Sequence, residues 1–296
     1  MIILNFGSIN IDHVYRVEHL VRPGETIASS DYRQFSGGKG FNQSIALARA
    51  GATVSHAGRI GGDGVWLREQ LAADGADVGF LEVVDSPSGH ALIQVDAGGE
   101  NAIILFGGAN RTFTPEDARK ILDNFDAGDW LLLQNEISAM PEILRLAGEQ
   151  GLRVVFNPAP MGAEVLDYPL DGVSIFVLNE VEGEAFTGET EAEAILAGMR
   201  RRFPVATVVL TLGAAGAIYD GGSQRIAVPA QKVEVVDTTA AGDTFIGYLL
   251  AGLAAGDDPK SALETATRAA AICVTRPGAA PSIPRREEVD KYYQPD

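Results

Sequence analysis

The sequence holds one cysteine, few basic residues and no long apolar run, and each shortage argues against a class of protein. Cys273 cannot form an internal disulfide, and its apolar surroundings, AAAICV, predict a small buried side chain in a reducing compartment. Lys and Arg total 23 against 40 Asp and Glu, and the net charge of −17 repels polyanions, so no nucleic-acid partner is expected. No apolar segment is long enough to span a bilayer, so no membrane partner is expected either.

Missing spacings argue against two further classes. The four histidines show no paired zinc-ligand spacing, which disfavours a metalloenzyme. The segment GRIGGDG lacks the G-x-G-x-x-G order of a dinucleotide-binding turn, which disfavours a dehydrogenase. The opening MIILNFGSIN has neither a basic start nor a small-residue cleavage site, so it predicts a strand entering a turn and a cytoplasmic location.

The hydrophobic pattern predicts one large α/β domain. From about Asp129 onward, the β-rich runs WLLLQ, LRVVF, SIFVL and TVVLTL alternate with helical patterns, which is typical of βαβ units and a parallel sheet buried on both faces. The segment ETIASSDYRQFS and the pair HALIQVD and NAIILF instead predict antiparallel strands. We therefore expect a single domain over 1–296, with a β lid inserted from roughly 13–36 and 88–107.

The C-terminal third predicts a strand, a tight turn and two helices. QKVEVVD alternates as a strand, TTAAGD supplies the turn, and TFIGYLLAGLAAG continues as a helix that ends at Gly256. Asp258 is a natural N-cap with Pro259 at the first helical position, so a second helix follows.

The turn Asp237–Phe245 (DTTAAGDTF) carries the strongest chemical signal. Small residues at a helix start expose backbone N–H groups, and the helix dipole adds positive potential, so the turn suits phosphate oxygens. Asp243 would repel a phosphate there unless it has a separate task, and taking a proton from an incoming hydroxyl is such a task. The structural alternative is that Asp243 only caps the helix.

Two other segments predict a site for a polyhydroxylated ligand. In GGKGFN, paired glycines allow close backbone approach while Lys39 and Asn42 supply polar groups at a helix entrance. This segment lacks P-loop spacing, and it could also be an ordinary strand-to-helix connection. In GSINID, Asn10 and Asp12 share one face of an extended segment and can bind adjacent hydroxyls, although such residues also form turns.

Five segments resemble, in order, signature segments of the ribokinase family of carbohydrate kinases: G-S-I-N-x-D, G-G-K-G-x-N, N-P-A-P, N-x-x-E and D-T-x-A-A-G-D-T-F. The resemblance spans nearly the whole chain. It implies a ribokinase-like three-layer α/β/α sandwich with a mostly parallel central sheet and a small β-sheet lid. The lid of this family closes over the sugar and often mediates dimerisation, so a homodimer through the lid is expected.

The resemblance also assigns roles to residues at matching positions. Asp243 resembles the catalytic base, and the backbone of Ala240, Ala241, Gly242 and Asp243 resembles the anion hole. Asn179 and Glu182 match a pair that organises Mg²⁺ and phosphates, although as bare sequence they read as a solvated helix start. The residues that resemble sugar ligands are Asn10, Asp12, Gly38, Lys39, Asn42 and Glu136.

Nucleotide and cation residues follow from the resemblance alone. ATP would contact Thr211, Gly213, Gly216 and Gly242. A monovalent cation, usually potassium in this family, would be held mainly by backbone carbonyls of the segments that contain Asp237, Thr239, Cys273, Arg276, Gly278 and Ser282.

The resemblance implies a kinase that transfers the γ-phosphoryl group of ATP to the hydroxymethyl group of a small sugar. Ribose is the first expectation, and deoxyribose, a ketohexose, a nucleoside or a catalytically silent sugar sensor are the alternatives. Three residues depart from the family pattern. Phe41 replaces a small residue beside the sugar ligands, Asn135 replaces an apolar residue, and Pro277 stands where a lysine is familiar. The bulk of Phe41 bears on the shape of the sugar pocket.

Overall fold

The apolar runs of the sequence form the central strands of a large sheet in a computed structural model that describes residues 2–292. In chain order the strands are β1 (Ile3–Phe6), β2 (Asn10–Arg16), β3 (Asp31–Gly37), β4 (Val54–Ile60), β5 (Asp77–Val83), β6 (Gly89–Val95), β7 (Asn101–Phe106), β8 (Trp130–Gln134), β9 (Arg153–Asn157), β10 (Val173–Asn179), β11 (Thr207–Thr211), β12 (Ala217–Asp220) and β13 (Arg225–Val228). The helices are α1 (Lys39–Arg49), α2 (Val65–Ala73), α3 (Pro115–Leu122), α4 (Met140–Gln150), α5 (Glu180–Thr187), α6 (Ala192–Arg202), α7 (Ala241–Ala255), α8 (Pro259–Val274) and α9 (Arg286–Lys291). Within this described part of the chain, no helix is long and apolar enough to cross a membrane.

The main sheet has nine strands in the order β13-β12-β11-β10-β9-β8-β1-β4-β5. It is parallel except at one edge, where β12 and β13 pair antiparallel. In β8, Leu132 packs into a core shared with α1, α2, α7 and α8, whereas Leu131 and Leu133 pack into a core shared with α3 to α6. Because helices cover both faces, the central strands are mostly apolar, although β1 and β8 also carry the buried polar residues Asn5 and Gln134. This arrangement is the three-layer sandwich expected from the sequence.

A second sheet of four strands, in the order β3-β2-β6-β7, forms the lid. Only residues 7–9 separate β1 from β2, so the lid begins at the carboxyl end of a central strand. At its base Asn10 lies opposite Gly37 on one side and Gly89 on the other. The side chains of β2 nearest the main sheet therefore point into the junction between lid and body.

Two segments differ from the sequence prediction. QKVEVVD, residues 231–237, is not a strand: the amides of Val236 and Asp237 bond to the Val274 carbonyl oxygen at 2.8 and 3.2 Å. The edge strand β13 ends at Val228, and within residues 2–292 no strand pairs with residues 231–237. In ETIASSDYRQFS only the part from Asp31 onward is a strand.

Candidate active site

The close crossing of α1 and α7 sets the position of Asp243. Gly247 on α7 packs directly on α1, because a Cβ atom there would overlap the Ala46 side chain and lie 2.9 Å from the Ala46 carbonyl carbon. One helical turn before Gly247 is Asp243, and one turn before Ala46 are Asn42 and Gln43. The crossing therefore brings residues about 200 positions apart in the chain into hydrogen-bond contact.

Asp243 is held on both of its carboxylate oxygens. Oδ2 accepts a hydrogen bond from Asn42 Nδ2 at 3.0 Å, and Oδ1 accepts one from Gln43 Nε2 at 2.8 Å. Only 7% of the residue is exposed, and it lines a cleft of about 200 Å³. The side chain therefore does not act as an N-cap for α7, whose N-cap is Ala240 without a side-chain hydrogen bond.

The turn before α7 suits an anion. Ala240 has the left-handed backbone conformation, φ 60° and ψ 9°, which costs a non-glycine residue about 1 kcal/mol. Ala240, Gly242 and Asp243 line the same cleft. The Ala241 amide bonds to the Thr238 carbonyl oxygen at 3.2 Å, so the amides of Gly242 and Asp243 are the better donors.

Lys39 links the cleft beside Asp243, which it lines, to Glu136, which accepts a hydrogen bond from the Lys39 amide. Gly38, with φ 91°, turns the chain from the lid into α1, and a Cβ there would lie 2.9 Å from the Asn10 nitrogen. Burial lowers the pKa of Lys39, but the carboxylates of Asp243, Glu136 and Glu182 outweigh burial and raise it. Lys39 therefore keeps its positive charge among these carboxylates. That charge can neutralise the negative charge of a phosphoryl group bound beside it.

Two of the six predicted sugar ligands line a cavity at the base of the lid, whereas Lys39 lines the cleft beside Asp243 and Asn42 donates to Asp243. Asn10 and Glu136 line a cavity of about 260 Å³, and Glu136 Oε2 accepts hydrogen bonds from the Ser8 hydroxyl and from the Lys39 amide, the latter at 3.0 Å. Burial, and secondarily Glu136, raises the pKa of Asp12 to about 7. Such a cluster of acceptors suits a ligand that brings several hydroxyl groups.

Asn110 was missed by the sequence reading. Its side chain accepts from the Ile9 amide at 3.0 Å, and it donates to the Ile9 carbonyl oxygen at 3.1 Å and to Asn10 Oδ1 at 2.8 Å. Asn110 follows the last lid strand, so it fixes both ends of the lid at the sugar pocket. GGAN alone gave no signal, because its importance depends on a contact across 100 residues.

Asn179 and Glu182 form a capping box at the start of α5. The Glu182 amide donates to Asn179 Oδ1 at 2.9 Å, and the Asn179 amide donates to Glu182 Oε2 at 2.9 Å. Both residues line the 200 Å³ cleft, and Glu182 is buried. Burial raises the pKa of Glu182. This helix start is exposed at Asn179, Glu180 and Val181, but the Glu182 side chain is buried and lines the cleft beside the anion site.

The structure brings one of the three residues predicted on the LTLGAAG segment to this cleft. Thr211 lines it, and the Thr211 hydroxyl donates to the Leu178 carbonyl oxygen at 3.3 Å. Gly213 and Gly216 lie outside its lining, in a turn where both have positive φ. Their predicted contact with the nucleotide remains a prediction.

The predicted cation segments lie side by side. Asp237 Oδ2 accepts from the Gly278 amide at 2.8 Å, and Asp237 Oδ1 accepts from the Thr239 amide at 2.9 Å. Cys273 Sγ lies 3.0 Å from Ser282 Oγ and 3.7 Å from the Thr239 carbonyl oxygen. The Arg276 guanidinium has no acceptor atom and pairs with Glu288, so Arg276 could contact a cation only through its backbone carbonyl oxygen.

The three departures from the family pattern lie away from the reacting groups. Phe41 is fully buried in the core beneath the sheet, so its ring does not line the sugar pocket. Asn135 donates to the Pro160 carbonyl oxygen at 2.9 Å and holds the NPAP segment in place. Pro277 is exposed.

Comparisons with known proteins show the family and the fold of the chain. Residues 3–286 match the model of the pfkB family carbohydrate kinases. The ribokinase of Haemophilus influenzae is 35% identical over 298 residues, with 97% of each chain covered. The structure of a Cryptococcus neoformans ribokinase in complex with ADP superposes with a TM-score of 0.86 at 36% identity, covering 99% of both chains. The structure of Arabidopsis thaliana ribokinase complexed with ribose and ATP superposes with a TM-score of 0.86 at 30% identity, covering 98% of this chain and 97% of that one.

The chain therefore belongs to the pfkB family of carbohydrate kinases. The predicted ribokinase-like fold and the predicted ATP-dependent carbohydrate kinase are confirmed. The roles of individual site residues stay predictions.

Proposed function

We propose that this protein phosphorylates ribose on its hydroxymethyl group with ATP, and that Asp243 is the catalytic base. The observation that carries the proposal is the position of the Asp243 carboxylate. Asn42 and Gln43 hold it by hydrogen bonds, and Asp243 lines the same cleft as Ala240 and Gly242 of the anion-binding turn. The Haemophilus influenzae ribokinase and the Arabidopsis thaliana ribokinase complexed with ribose and ATP match the chain over nearly its full length, which supports ribose as the acceptor.

In the proposed reaction, Asp243 takes the proton of the sugar hydroxyl as its oxygen forms a bond to the γ-phosphorus of ATP. The bond between that phosphorus and the bridging oxygen breaks, and ADP leaves. Lys39 and the amides of Gly242 and Asp243 stabilise negative charge on the transferring group. Asn10, Asp12 and Glu136 would hold the other hydroxyls of the sugar.

The residues near the phosphates fit a magnesium ion bound through waters. Mg²⁺ prefers oxygen ligands and keeps several waters, and Asn179 and Glu182 present amide and carboxylate oxygens at the cleft. Their oxygens already accept hydrogen bonds in the capping box, so contact through water suits them better than direct ligation. When bound, Mg²⁺ would neutralise phosphate charge.

We also propose a cytoplasmic homodimer with a potassium site. The outer strand of the lid, β7, exposes four consecutive apolar residues, Ile103, Ile104, Leu105 and Phe106, along an unpaired edge. An exposed apolar edge strand favours pairing with a second chain. The joined segments around Asp237 and Gly278 support a potassium site beside the anion hole.

A substrate panel tests the proposal. ADP release is measured with ribose, deoxyribose, a ketohexose and a nucleoside, each with and without potassium, while sugar binding is measured by calorimetry. We expect the highest kcat/KM with ribose and a higher rate with potassium. Saturable sugar binding without turnover on any acceptor would contradict the kinase and favour a sensor.

A further inference from the structure

The base Asp243 rests on a buried chain of side-chain amides that the proposed reaction does not otherwise use. Gln43, which donates to Asp243, is fully buried, and so are Gln134 and Asn5 behind it. Gln134 Nε2 donates to Gln43 Oε1 at 2.7 Å and to Asn5 Oδ1 at 2.9 Å. Three buried amides in series are costly to desolvate, so this chain calls for an explanation beyond packing.

The direction of this chain is fixed at its far end by a group that cannot turn. Asn5 Nδ2 donates to the Gly40 carbonyl oxygen at 2.7 Å, and a backbone carbonyl can only accept. The Asn5 oxygen must therefore face Gln134, which presents its nitrogen to Gln43. Because Gln43 Oε1 accepts that bond, the Gln43 nitrogen is left to face Asp243.

A second chain imposes the same direction independently. Asn157 Nδ2 donates to the Val177 carbonyl oxygen at 3.0 Å, again a group that can only accept. Asn157 Oδ1 then faces Gln43 Nε2 at 3.4 Å. The two hydrogens of the Gln43 amide thus meet Asp243 and Asn157, and its oxygen meets Gln134. A flipped Gln43 would place its oxygen against two acceptors.

We propose that Gln43 is a positioning residue that holds the Asp243 carboxylate toward the acceptor hydroxyl, and that Asn5, Gln134 and Asn157 set the direction of its amide. This inference rests on the proposed function of Asp243. Gln43 touches neither sugar nor ATP in this account, and it acts through the base alone. Gln134 acts one step further away.

Methionine substitutions test the chain, because methionine has the length of glutamine without its donor or acceptor. Gln43→Met is expected to lower kcat for ribose by about 10- to 100-fold, since a hydrogen bond to a charged group is lost at the base. The KM values for ribose and ATP and the calorimetric affinity for ribose should change by less than about threefold. Gln134→Met should lower kcat by a smaller factor, because it frees Gln43 to turn.

The double variant shows whether Gln134 acts on kcat through Gln43 or independently of it. If Gln134 acts through Gln43, Gln43→Met/Gln134→Met is no slower than Gln43→Met alone. The matched control is Gln150→Met at the end of α4, outside the site, which should keep wild-type kcat. Thermal unfolding and calorimetric titration with ribose give the fraction of each variant that is folded. The rate is then divided by the concentration of binding sites, so a loss of activity that only reflects unfolding leaves kcat per binding site unchanged.

The outcomes distinguish this inference from the function on which it rests. Absence of turnover by the wild type on ribose would overturn the proposed function. With wild-type turnover present, an unchanged kcat per binding site in Gln43→Met, or a double variant whose losses multiply, would overturn the positioning chain alone.

Discussion

The buried carboxyl group of Asp12, a predicted sugar ligand, lowers the free energy of unfolding when it is charged. Burial, and then Glu136, raise the pKa of its carboxyl group from 3.8 to about 7 in the folded protein. Between these values the folded state binds more protons at Asp12 than the unfolded state does. The contribution of Asp12 to the free energy of unfolding therefore falls as pH rises through this window.

Asp12→Asn should stabilise the protein at pH 8 more than at pH 5. Asparagine has no charge to desolvate, so we expect an added gain of roughly 1 to 3 kcal/mol in the free energy of unfolding between these pH values. Denaturant unfolding at both pH values measures it, with Asp85→Asn at an exposed site as the control. An equal effect at both pH values would show that the Asp12 carboxyl titrates as an ordinary one does.

Residues that carry the chemistry differed in how well the sequence revealed them. Asp243, Lys39 and Asn10 lie in short local patterns with a physical reason, and the structure brings all three to one site. Gln43 and Gln134 gave no local signal, because a buried glutamine is recognised only by what it contacts, and their contact spans 91 residues. Long-range polar pairing of this kind cannot be read from a single sequence.

The secondary-structure elements, like the site residues, were predicted where a local pattern decides them and missed where a long-range contact does. Strands covered on both faces were predicted from their β-rich apolar runs, and HALIQVD and NAIILF were predicted as a pair of antiparallel strands. QKVEVVD alternates as a strand would, yet in the described part of the chain it pairs with no strand and its amides bond to the Val274 carbonyl oxygen instead. Local pattern therefore identifies a segment that can pair, but only the topology decides whether it does.

Gly247→Ala tests the helix crossing that positions the base. The added methyl group would overlap Ala46, so α7 must move away from α1, at a cost of about 1 to 3 kcal/mol in unfolding free energy. kcat should fall as well, because Asp243 would move away from Asn42 and Gln43. Thermal unfolding and steady-state kinetics measure the two effects.

The matched control is Gly148→Ala in α4, where a Cβ meets nothing within 4 Å. It should keep the wild-type rate and stabilise the protein by up to about 1 kcal/mol, because alanine favours helix. If Gly247→Ala behaved like this control, the crossing would not set the site.

At the scale of the whole molecule, the proposed homodimer forms through the exposed edge strand β7 of the lid. Ile104 is 64% exposed on β7, and its neighbour Leu105 lines the sugar pocket, so Ile104 can be changed with less effect on the site. We expect the wild type to sediment as a dimer and Ile104→Glu as a monomer, because a buried charge at the edge would disfavour pairing. Val205→Glu, at an apolar residue 86% exposed outside the lid, is the control and should leave the dimer intact. A wild type that sediments as a monomer would contradict the dimer.

The central claim is that one carboxylate at the start of α7 removes the proton from the acceptor sugar. The most direct measurement compares Asp243→Asn with the wild type in kcat for ribose and in calorimetric ribose affinity, with Asp257→Asn beyond the far end of α7 as the control. We predict that kcat falls by at least about 100-fold while ribose affinity changes by less than about threefold, because the base acts mainly in the transition state. An Asp243→Asn enzyme that keeps most of its rate would contradict the account.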